Sequence, residues 1–162
     1  MAGTEIVEGE LVMSPVPSGH HQDICGSLCV KIRPFVDRRR LGKFYCHPLH
    51  IVLAPGVEYE PDLCLISRDR LPKADFARFN GPPDLIIEVI SESNRKHDTE
   101  TKFGHYERYG VLEYWLVDLE ARQIQVWFLE DGRYISLGKF GAGQSALTRL
   151  MAGLHLDPAR IF

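Results

Sequence analysis

The run "PDLIIEVI" at residues 83–90 constrains the fold of this chain more than any other stretch. It is short and rich in isoleucine and valine, which predicts a buried β-strand rather than a helix. Glu88 stands in its middle, and a buried carboxylate is costly unless something compensates its charge. Glu88 must therefore face water at an edge, pair with a cation, or bind a metal ion.

A partner for Glu88 has to come from another strand. Asp84 points to the same face of its strand but lies about 13 Å away, at roughly 3.3 Å per residue. The earlier stretch "EPDLCLIS" repeats the pattern of "PPDLIIEVIS": proline, aspartate, then apolar residues. If the two strands are neighbours, Asp62 can meet Glu88, provided that the register suits, which the sequence does not fix.

The stretch "KHDTETKFGHYERYG" after this strand predicts a helix capped by Gly110. Asp98 and Lys102 are one turn apart, so Lys102 either pairs with Asp98 or reaches back toward Glu88. Two carboxylates and a lysine suit phosphodiester hydrolysis. The carboxylates would hold Mg²⁺ or Mn²⁺, and the lysine would orient the attacking water or stabilise the transition state.

The remaining segments predict one α+β domain over residues 1–162. A hairpin turning at Glu8 and Gly9 comes first, then a helix capped by Ser18 over residues 19–39; Pro34 should kink this helix or end its first half. One or two strands and a loop over residues 68–83 lead to the Glu88 strand. Three C-terminal strands follow, with a hairpin at Asp131-Gly132, and a short closing helix is expected after residue 147.

The ordered set "PDLCLIS", "PPDLIIEVIS" and "DTETKFGHYERYGVLEYWLVD" resembles the Uma family (Uma two) of restriction endonucleases, a branch of the PD-(D/E)xK nuclease superfamily. The resemblance extends from "IVEGELVMSPVPSGHHQ" to "LHLDPARIF". It implies a restriction-endonuclease-like core, in which a mixed β-sheet is flanked by helices, and a metal-dependent nuclease site.

Carried over by residue, the resemblance assigns Asp62 to the PD element and Glu88 to the acidic position of the (D/E)xK element. The usual lysine position is occupied by Ile90, so Lys102 takes that role, with Lys96 as the weaker substitute. We expect the carbonyl of Val89 to complete the metal site. The residues expected to support it are His21, Asp84 and Asp98, although strand-start chemistry alone accounts for Asp84.

The net charge of −3 and the pI of about 6.2 give no global attraction to nucleic acid. Contact with phosphates therefore needs a local basic patch, and the cations clustered in "KIRPFVDRRRLGK" can supply one. The residues predicted to bind nucleic acid are Arg38, Arg39, Arg40 and Lys43. The alternative is a solvated helix end whose cations complement the helix dipole.

The acidic N-terminus lacks the features of a signal peptide, and no apolar run is long enough to span a bilayer. We therefore expect a cytoplasmic protein without membrane contact, whose four cysteines are thiols. Cys25 and Cys29 share a helix face with His21, which leaves open a zinc site completed by Cys46, His47 or His50. Small core residues explain these cysteines better.

The sequence thus predicts a Mg²⁺- or Mn²⁺-dependent endonuclease that cleaves DNA, with structured RNA as the alternative substrate. Cleavage of both strands would favour a homodimer, because one site cuts one strand. The alternative function is a catalytically inactive nucleic-acid-binding or assembly module on the same fold. A metal-binding regulator built on the His21, Cys25 and Cys29 face is the third possibility.

Overall fold

The structure, a computed structural model, describes residues 4–14, 16–90 and 95–162. These residues form two β-sheets and two α-helices, which confirms the predicted α+β class. The strands are β1 (Thr4–Val7), β2 (Glu10–Met13), β3 (Gly42–Tyr45), β4 (His50–Ala54), β5 (Val57–Tyr59), β6 (Leu63–Ser67), β7 (Arg78–Asn80), β8 (Leu85–Ile90), β9 (Glu113–Asp118), β10 (Gln123–Glu130) and β11 (Arg133–Phe140). The helices are α1 (Gly19–Arg39) and α2 (Phe103–Tyr109).

The larger sheet has the strand order β11-β10-β9-β8-β6-β3 and carries Glu88 near its centre. β8 runs parallel to β9 and antiparallel to β6, so the sheet is mixed, as predicted. Alternate residues of β8 serve two cores: Leu85, Ile87 and Val89 pack with α1, whereas Ile86 and Ile90 pack on the opposite face. Because both faces are covered, a charged side chain on β8 lies in the interior.

The helix α1 has the bounds that the sequence predicts. Ser18 caps it by accepting a hydrogen bond from the His21 N–H at 3.2 Å, and its apolar stripe is buried from Ile24 onward. Of the two outcomes expected at Pro34, a kink or the end of the first half of the helix, the second does not occur, because α1 continues to Arg39. Phe35 and Val36 are buried immediately after Pro34, and their packing outweighs the loss of one backbone hydrogen bond.

The smaller sheet has the order β2-β1-β5-β4-β7. Its β1–β2 hairpin turns at Glu8 and Gly9, both at positive φ, as predicted. The sequence predicts a loop over residues 68–83, and the structure adds β7, which pairs in parallel with β4. A strand of three residues offers too little periodicity to be recognised in a sequence.

A π-helical turn over His97–Lys102 leads directly into α2, and Gly110 caps α2 at φ 91°. A π-helical turn is uncommon and often occurs at functional sites. The predicted break at Ser91–Asn94 lies outside the described residues.

At the C-terminal end, Asp131 and Gly132 form the predicted β10–β11 turn. The predicted closing helix is wrong, because the last segment forms turns and one 3₁₀ turn over Pro158–Arg160. Gly153 at φ 88° and Pro158 both interrupt a helix. The segment is held instead by buried apolar side chains, among them Met151 and Leu156.

The expectation of four free thiols is also wrong. Cys29 on α1 and Cys46 after β3 form a disulfide, with Cα atoms 5.6 Å apart. The packing of α1 against β3 brings them together, which spacing along the chain cannot reveal. Cys25 and Cys64 are free thiols. In the part of the chain that the structure describes, neither helix is long and apolar enough to cross a bilayer.

Candidate active site

Asp62 and Glu88 come together because β6 and β8 are neighbours. Leu63 pairs with Ile87, so Asp62, one residue earlier, reaches the level of Glu88 and Val89. The Asp62 carboxylate accepts a hydrogen bond from the Val89 N–H at 2.8 Å. The register that the sequence leaves open is therefore the one that joins the two acidic positions.

Glu88 is buried, with a relative exposure of 3%. Its Oε1 accepts hydrogen bonds from Lys102 Nζ at 3.0 Å and from the Tyr106 hydroxyl at 2.9 Å. Burial raises the pKa of Glu88 well above its usual range, and the neighbouring carboxylates, Asp62 foremost, add to the rise, whereas Lys102 opposes it. The charged form of Glu88 thus depends on a nearby cation.

The ammonium group of Lys102 contacts three carboxylates at once. Its Nζ lies 2.9 Å from Glu5, 3.0 Å from Glu88 and 3.4 Å from Asp98. Burial alone would lower the pKa of Lys102, but the three carboxylates outweigh it and raise the pKa well above the usual value. The ammonium therefore stays protonated at neutral pH.

The lysine reaches Glu88 because the π-helical turn places it over the strand. Ile90, at the usual lysine position, is buried among apolar side chains, and Lys96 is exposed. Lys102, rather than Lys96, is thus the lysine that contacts Glu88.

Glu5 on β1 is a member of this cluster that the sequence does not reveal. Its side chain is 1% exposed, and it contacts His97 Nε2 at 3.0 Å as well as Lys102. Burial would raise the pKa of Glu5, but the hydrogen bond to His97 and the charge of Lys102 together lower it. In the sequence, Glu5 in "TEIV" looks no different from Glu10 in "GELV", which is exposed. Glu5 faces inward because its strand, β1, pairs with β5.

Asp98, predicted to support the site, lies beside it. Its carboxylate contacts Lys102, and its backbone carbonyl accepts a hydrogen bond from the Tyr114 hydroxyl at 3.0 Å. Burial raises the pKa of Asp98 in spite of the nearby ammonium. The buried carboxylates of Glu5, Glu88 and Asp98 therefore surround the Lys102 ammonium, and the charge of Asp62 acts on both Glu88 and Asp98.

His21 also reaches the site, from the first turn of α1. Its Nε2 lies 3.0 Å from Asp62 Oδ2, and its Nδ1 lies 3.7 Å from Cys25 Sγ. Burial would lower the pKa of His21, but the hydrogen bond and the charge of Asp62 raise it. Asp62 is thus held between a backbone N–H and an imidazole.

Asp84 does not join the site. It lies at the other end of β8, where it accepts hydrogen bonds from the Ser67 N–H at 2.6 Å and from Arg70 Nη1 at 3.1 Å. The expectation that Asp84 supports the site is therefore not met, since it lies four positions, or about 13 Å, before Glu88 along the chain. Its contacts hold the start of β8, which is the alternative role that the sequence suggests for Asp84.

The arginines of the predicted basic patch are distant from the site. Arg38, Arg39, Arg40 and Lys43 are exposed; the three arginines lie at the opposite end of α1 from His21, and Lys43 lies on β3. Arg39 is eighteen helix positions from His21, which is about 27 Å at roughly 1.5 Å per residue. The three arginines are therefore too far along α1 to contact a phosphate that is held by Asp62 and Glu88.

One group of three donors among residues 4–14, 16–90 and 95–162 could hold a metal ion with donor atoms within 4.8 Å of one another. It consists of His21, Cys25 and Asp62, and Glu88 is not part of it. Cys29 is bound in the disulfide, so the ligand row of His21, Cys25 and Cys29 that the sequence leaves open loses its third member.

Comparisons with known proteins agree with this architecture. The fold superposes with a TM-score of 0.85 on the crystal structure of "a putative nuclease belonging to DUF820 from Anabaena variabilis ATCC 29413". The two sequences are 20% identical, and the match covers 99% of this chain and 90% of that one. No curated protein matches the sequence.

The restriction-endonuclease-like fold implied by the sequence motifs is thereby confirmed. The model of the family Uma2, described as "Putative restriction endonuclease", matches residues 3–159, nearly the whole sequence. This chain therefore belongs to the Uma2 family.

Proposed function

We propose that this protein is a divalent-metal-dependent endonuclease that hydrolyses phosphodiester bonds in DNA. The observation that carries the proposal is the buried Glu88, which contacts Lys102 and precedes Val89, the residue whose N–H donates to the Asp62 carboxylate. Membership of the Uma2 family supports the reaction class. Asp62, Glu88 and the carbonyl of Val89 would hold Mg²⁺ or Mn²⁺.

The donor chemistry fits such an ion. Carboxylate and carbonyl oxygens are the ligands that Mg²⁺ and Mn²⁺ prefer. The pKa of Glu88 is raised by burial and by neighbouring carboxylates, so a second positive charge would relieve a repulsion that Lys102 offsets only in part. A bound divalent ion supplies charge neutralisation and a more acidic water.

Lys102 has the properties of an electrostatic catalyst rather than a base. Its pKa is raised above the usual value, so it holds its proton at Nζ and cannot accept another. An ammonium has three N–H donors, which here point to Glu5, Glu88 and Asp98. Substrate would draw one of them toward a phosphoryl oxygen, where a fixed positive charge stabilises the transition state.

The other members of the cluster position these groups. Glu5 and Asp98 hold the Lys102 ammonium from two sides, and His21 fixes the orientation of the Asp62 carboxylate. Tyr106 donates a hydrogen bond to the Glu88 oxygen that also faces Lys102. We assign these residues positioning roles.

DNA is the proposed substrate, and structured RNA is the alternative. Since one site cuts one strand, cleavage of both strands calls for a homodimer. Arg38, Arg39, Arg40 and Lys43 would contact the nucleic acid backbone, the three arginines at a distance from the cut because about 27 Å of helix α1 separates Arg39 from His21.

Nicking of supercoiled plasmid in the presence of Mg²⁺ or Mn²⁺ tests the proposal. Asp62→Asn and Glu88→Gln should each lower the nicking rate by a factor of about 100 or more, the loss typical of a group that stabilises developing charge. Asp84→Asn is the matched control, because it changes a carboxylate on the same strand but outside the site. Full activity in both site variants would contradict the proposal.

A second function, nucleic acid binding without cleavage, is favoured by one specific observation. Ile90 occupies the usual lysine position, and Lys102 is already engaged by three carboxylates. Retarded DNA mobility with intact plasmid under both metal ions would support this alternative.

A further inference from the structure

We propose that His21, Cys25 and Asp62 form a second metal site, selective for Zn²⁺ and similar thiophilic cations, which shares Asp62 with the nuclease site. The three side chains offer one nitrogen, one sulfur and one oxygen, all within 4.8 Å of one another. They come from two separate parts of the fold, the first turns of α1 and the residue before β6.

The spacing of the donors suits zinc. Zn–S and Zn–N bonds of about 2.3 and 2.0 Å separate sulfur and nitrogen by about 3.5–3.7 Å at tetrahedral angles. The distance from Cys25 Sγ to His21 Nδ1 is 3.7 Å. These two ligands are thus already placed for a shared tetrahedral ion.

The third donor has to move. Asp62 Oδ2 lies 3.0 Å from the other ring nitrogen of His21, so the carboxylate must turn toward Nδ1 and the Cys25 sulfur to complete the set, whose donor atoms lie within 4.8 Å of one another. Three protein ligands leave the fourth tetrahedral position of a zinc ion for water, as in catalytic zinc sites.

The scaffold holds the site before a metal ion arrives. His21 and Cys25 are four residues apart on α1, which places both side chains on one face. The side chains of His21 and Asp62 keep 13% and 18% of their exposure, so an ion from solvent can reach them. On binding, the Cys25 thiol loses its proton to solvent and the sulfur forms the bond to the metal.

The donor set separates this site from the proposed nuclease centre. Thiolate and imidazole ligands favour Zn²⁺ or Co²⁺, whereas Mg²⁺ prefers oxygen ligands alone. Asp62 belongs to both sets, so zinc would withdraw a ligand from the catalytic ion. This consequence, inhibition of cleavage by zinc, rests on the proposed nuclease function, whereas zinc binding itself does not.

Cobalt titration of the intact protein, without added thiol, tests the site directly. A Co²⁺–thiolate bond gives a near-ultraviolet charge-transfer band, which Zn²⁺ should abolish by displacement. We expect the band in the wild-type protein and in Cys64→Ala, the control that removes the other free thiol. Cys25→Ser should lose the band and bind Zn²⁺ about 10–100-fold more weakly, and His21→Gln should weaken it similarly.

A parallel assay measures nicking by the Mn²⁺-loaded protein as Zn²⁺ is added. Zinc should inhibit the wild type and Cys64→Ala at concentrations that leave Cys25→Ser active. Absence of nicking under all conditions would refute the proposed function alone, because the cobalt band does not depend on activity. An unchanged band in Cys25→Ser, or no thiolate band in folded wild-type protein, would overturn the zinc site.

Discussion

Two buried glutamates on adjacent parallel strands, Glu88 on β8 and Glu113 on β9, occupy opposite kinds of environment. Their relative exposures are 3% and 0%. Glu113 accepts hydrogen bonds from the Trp115 indole N–H at 2.7 Å and from the backbone N–H groups of Arg149 and Leu150 at 2.9 and 3.3 Å. Its acceptors are thus satisfied by neutral donors.

Glu88, in contrast, shares its surroundings with three other carboxylates and depends on one lysine for its charge. Glu113 ties the C-terminal segment to the sheet, a structural role that any folded state requires. The crowding of carboxylates around Glu88 does not stabilise the fold in this way, and residues whose pKa is strongly shifted concentrate at functional sites. The difference supports the functional role that we propose for Glu88.

The largest expected effect comes from removing the cation at Glu88. Lys102→Met leaves Glu5, Glu88 and Asp98 buried without it and should destabilise the fold by about 3–5 kcal/mol. Adding Glu88→Gln should restore part of this loss, because one of the repelling charges is removed. Urea denaturation of both variants measures the coupling, and a loss below about 1 kcal/mol in Lys102→Met would contradict it.

Exchanging each glutamate for glutamine tests directly whether Glu88 and Glu113 have different roles. Glu113→Gln places an amide N–H₂ against a donor and should cost about 1–3 kcal/mol of stability while nicking by the folded fraction continues. Glu88→Gln should cost less stability and abolish nicking. Denaturant titration and plasmid nicking on the same preparations decide the matter. Loss of nicking in Glu113→Gln with full activity in Glu88→Gln would reverse our assignment.

Added Mn²⁺ should distinguish the two glutamates by stability alone. At ten times its dissociation constant, a ligand that binds only the folded state stabilises it by about 1.4 kcal/mol. We expect this gain in the wild type and in Glu113→Gln, and no gain in Glu88→Gln. Thermal unfolding with and without Mn²⁺ provides the measurement, and equal gains in all three proteins would place the ion elsewhere.

The smallest expected effect concerns Asp118, which lies at the other end of β9 from Glu113. Its Oδ2 lies 2.6 Å from Arg95 Nη1. The hydrogen bond from Arg95 lowers the pKa of Asp118 below its usual 3.8, against a weaker opposing effect of burial. A lowered carboxyl pKa stabilises the fold above the unfolded pKa, and the stabilisation disappears as the pH falls through the folded pKa.

Arg95→Met should therefore cost under about 1 kcal/mol at pH 7, since Arg95 is partly exposed, and almost nothing at a pH well below 3.8. Urea denaturation of both proteins across this pH range measures the difference. If the wild type and Arg95→Met differed more in free energy of unfolding at acid pH than at pH 7, the predicted direction would be wrong.

Much of the fold follows from patterns in the sequence. The bounds of α1 are predicted because Ser18 marks its start and its buried residues recur at helical spacing. The two hairpin turns are predicted because Glu8-Gly9 and Asp131-Gly132 suit positive φ. The strand β7 and the irregular C-terminal segment are not, since both are held by contacts with distant elements.

The candidate site divides in the same way. Glu88 is conspicuous because a carboxylate interrupts an apolar strand, and Asp62 because it repeats the motif. Glu5 is not, because its strand is short and its inward orientation comes from pairing with β5. The cluster of cations is visible in the sequence, but the distance of Arg38, Arg39 and Arg40 from the site depends on which end of α1 approaches β6.

By itself the sequence determined the strand that carries Glu88, the helix α1 and the family motifs, because these depend on local periodicity, capping and residue order. Only the tertiary structure decided that the β6–β8 register joins Asp62 to Val89, that Lys102 faces three carboxylates, and that Cys29 pairs with Cys46. These contacts join residues far apart in the chain, and their distances are set by how sheets and helices pack.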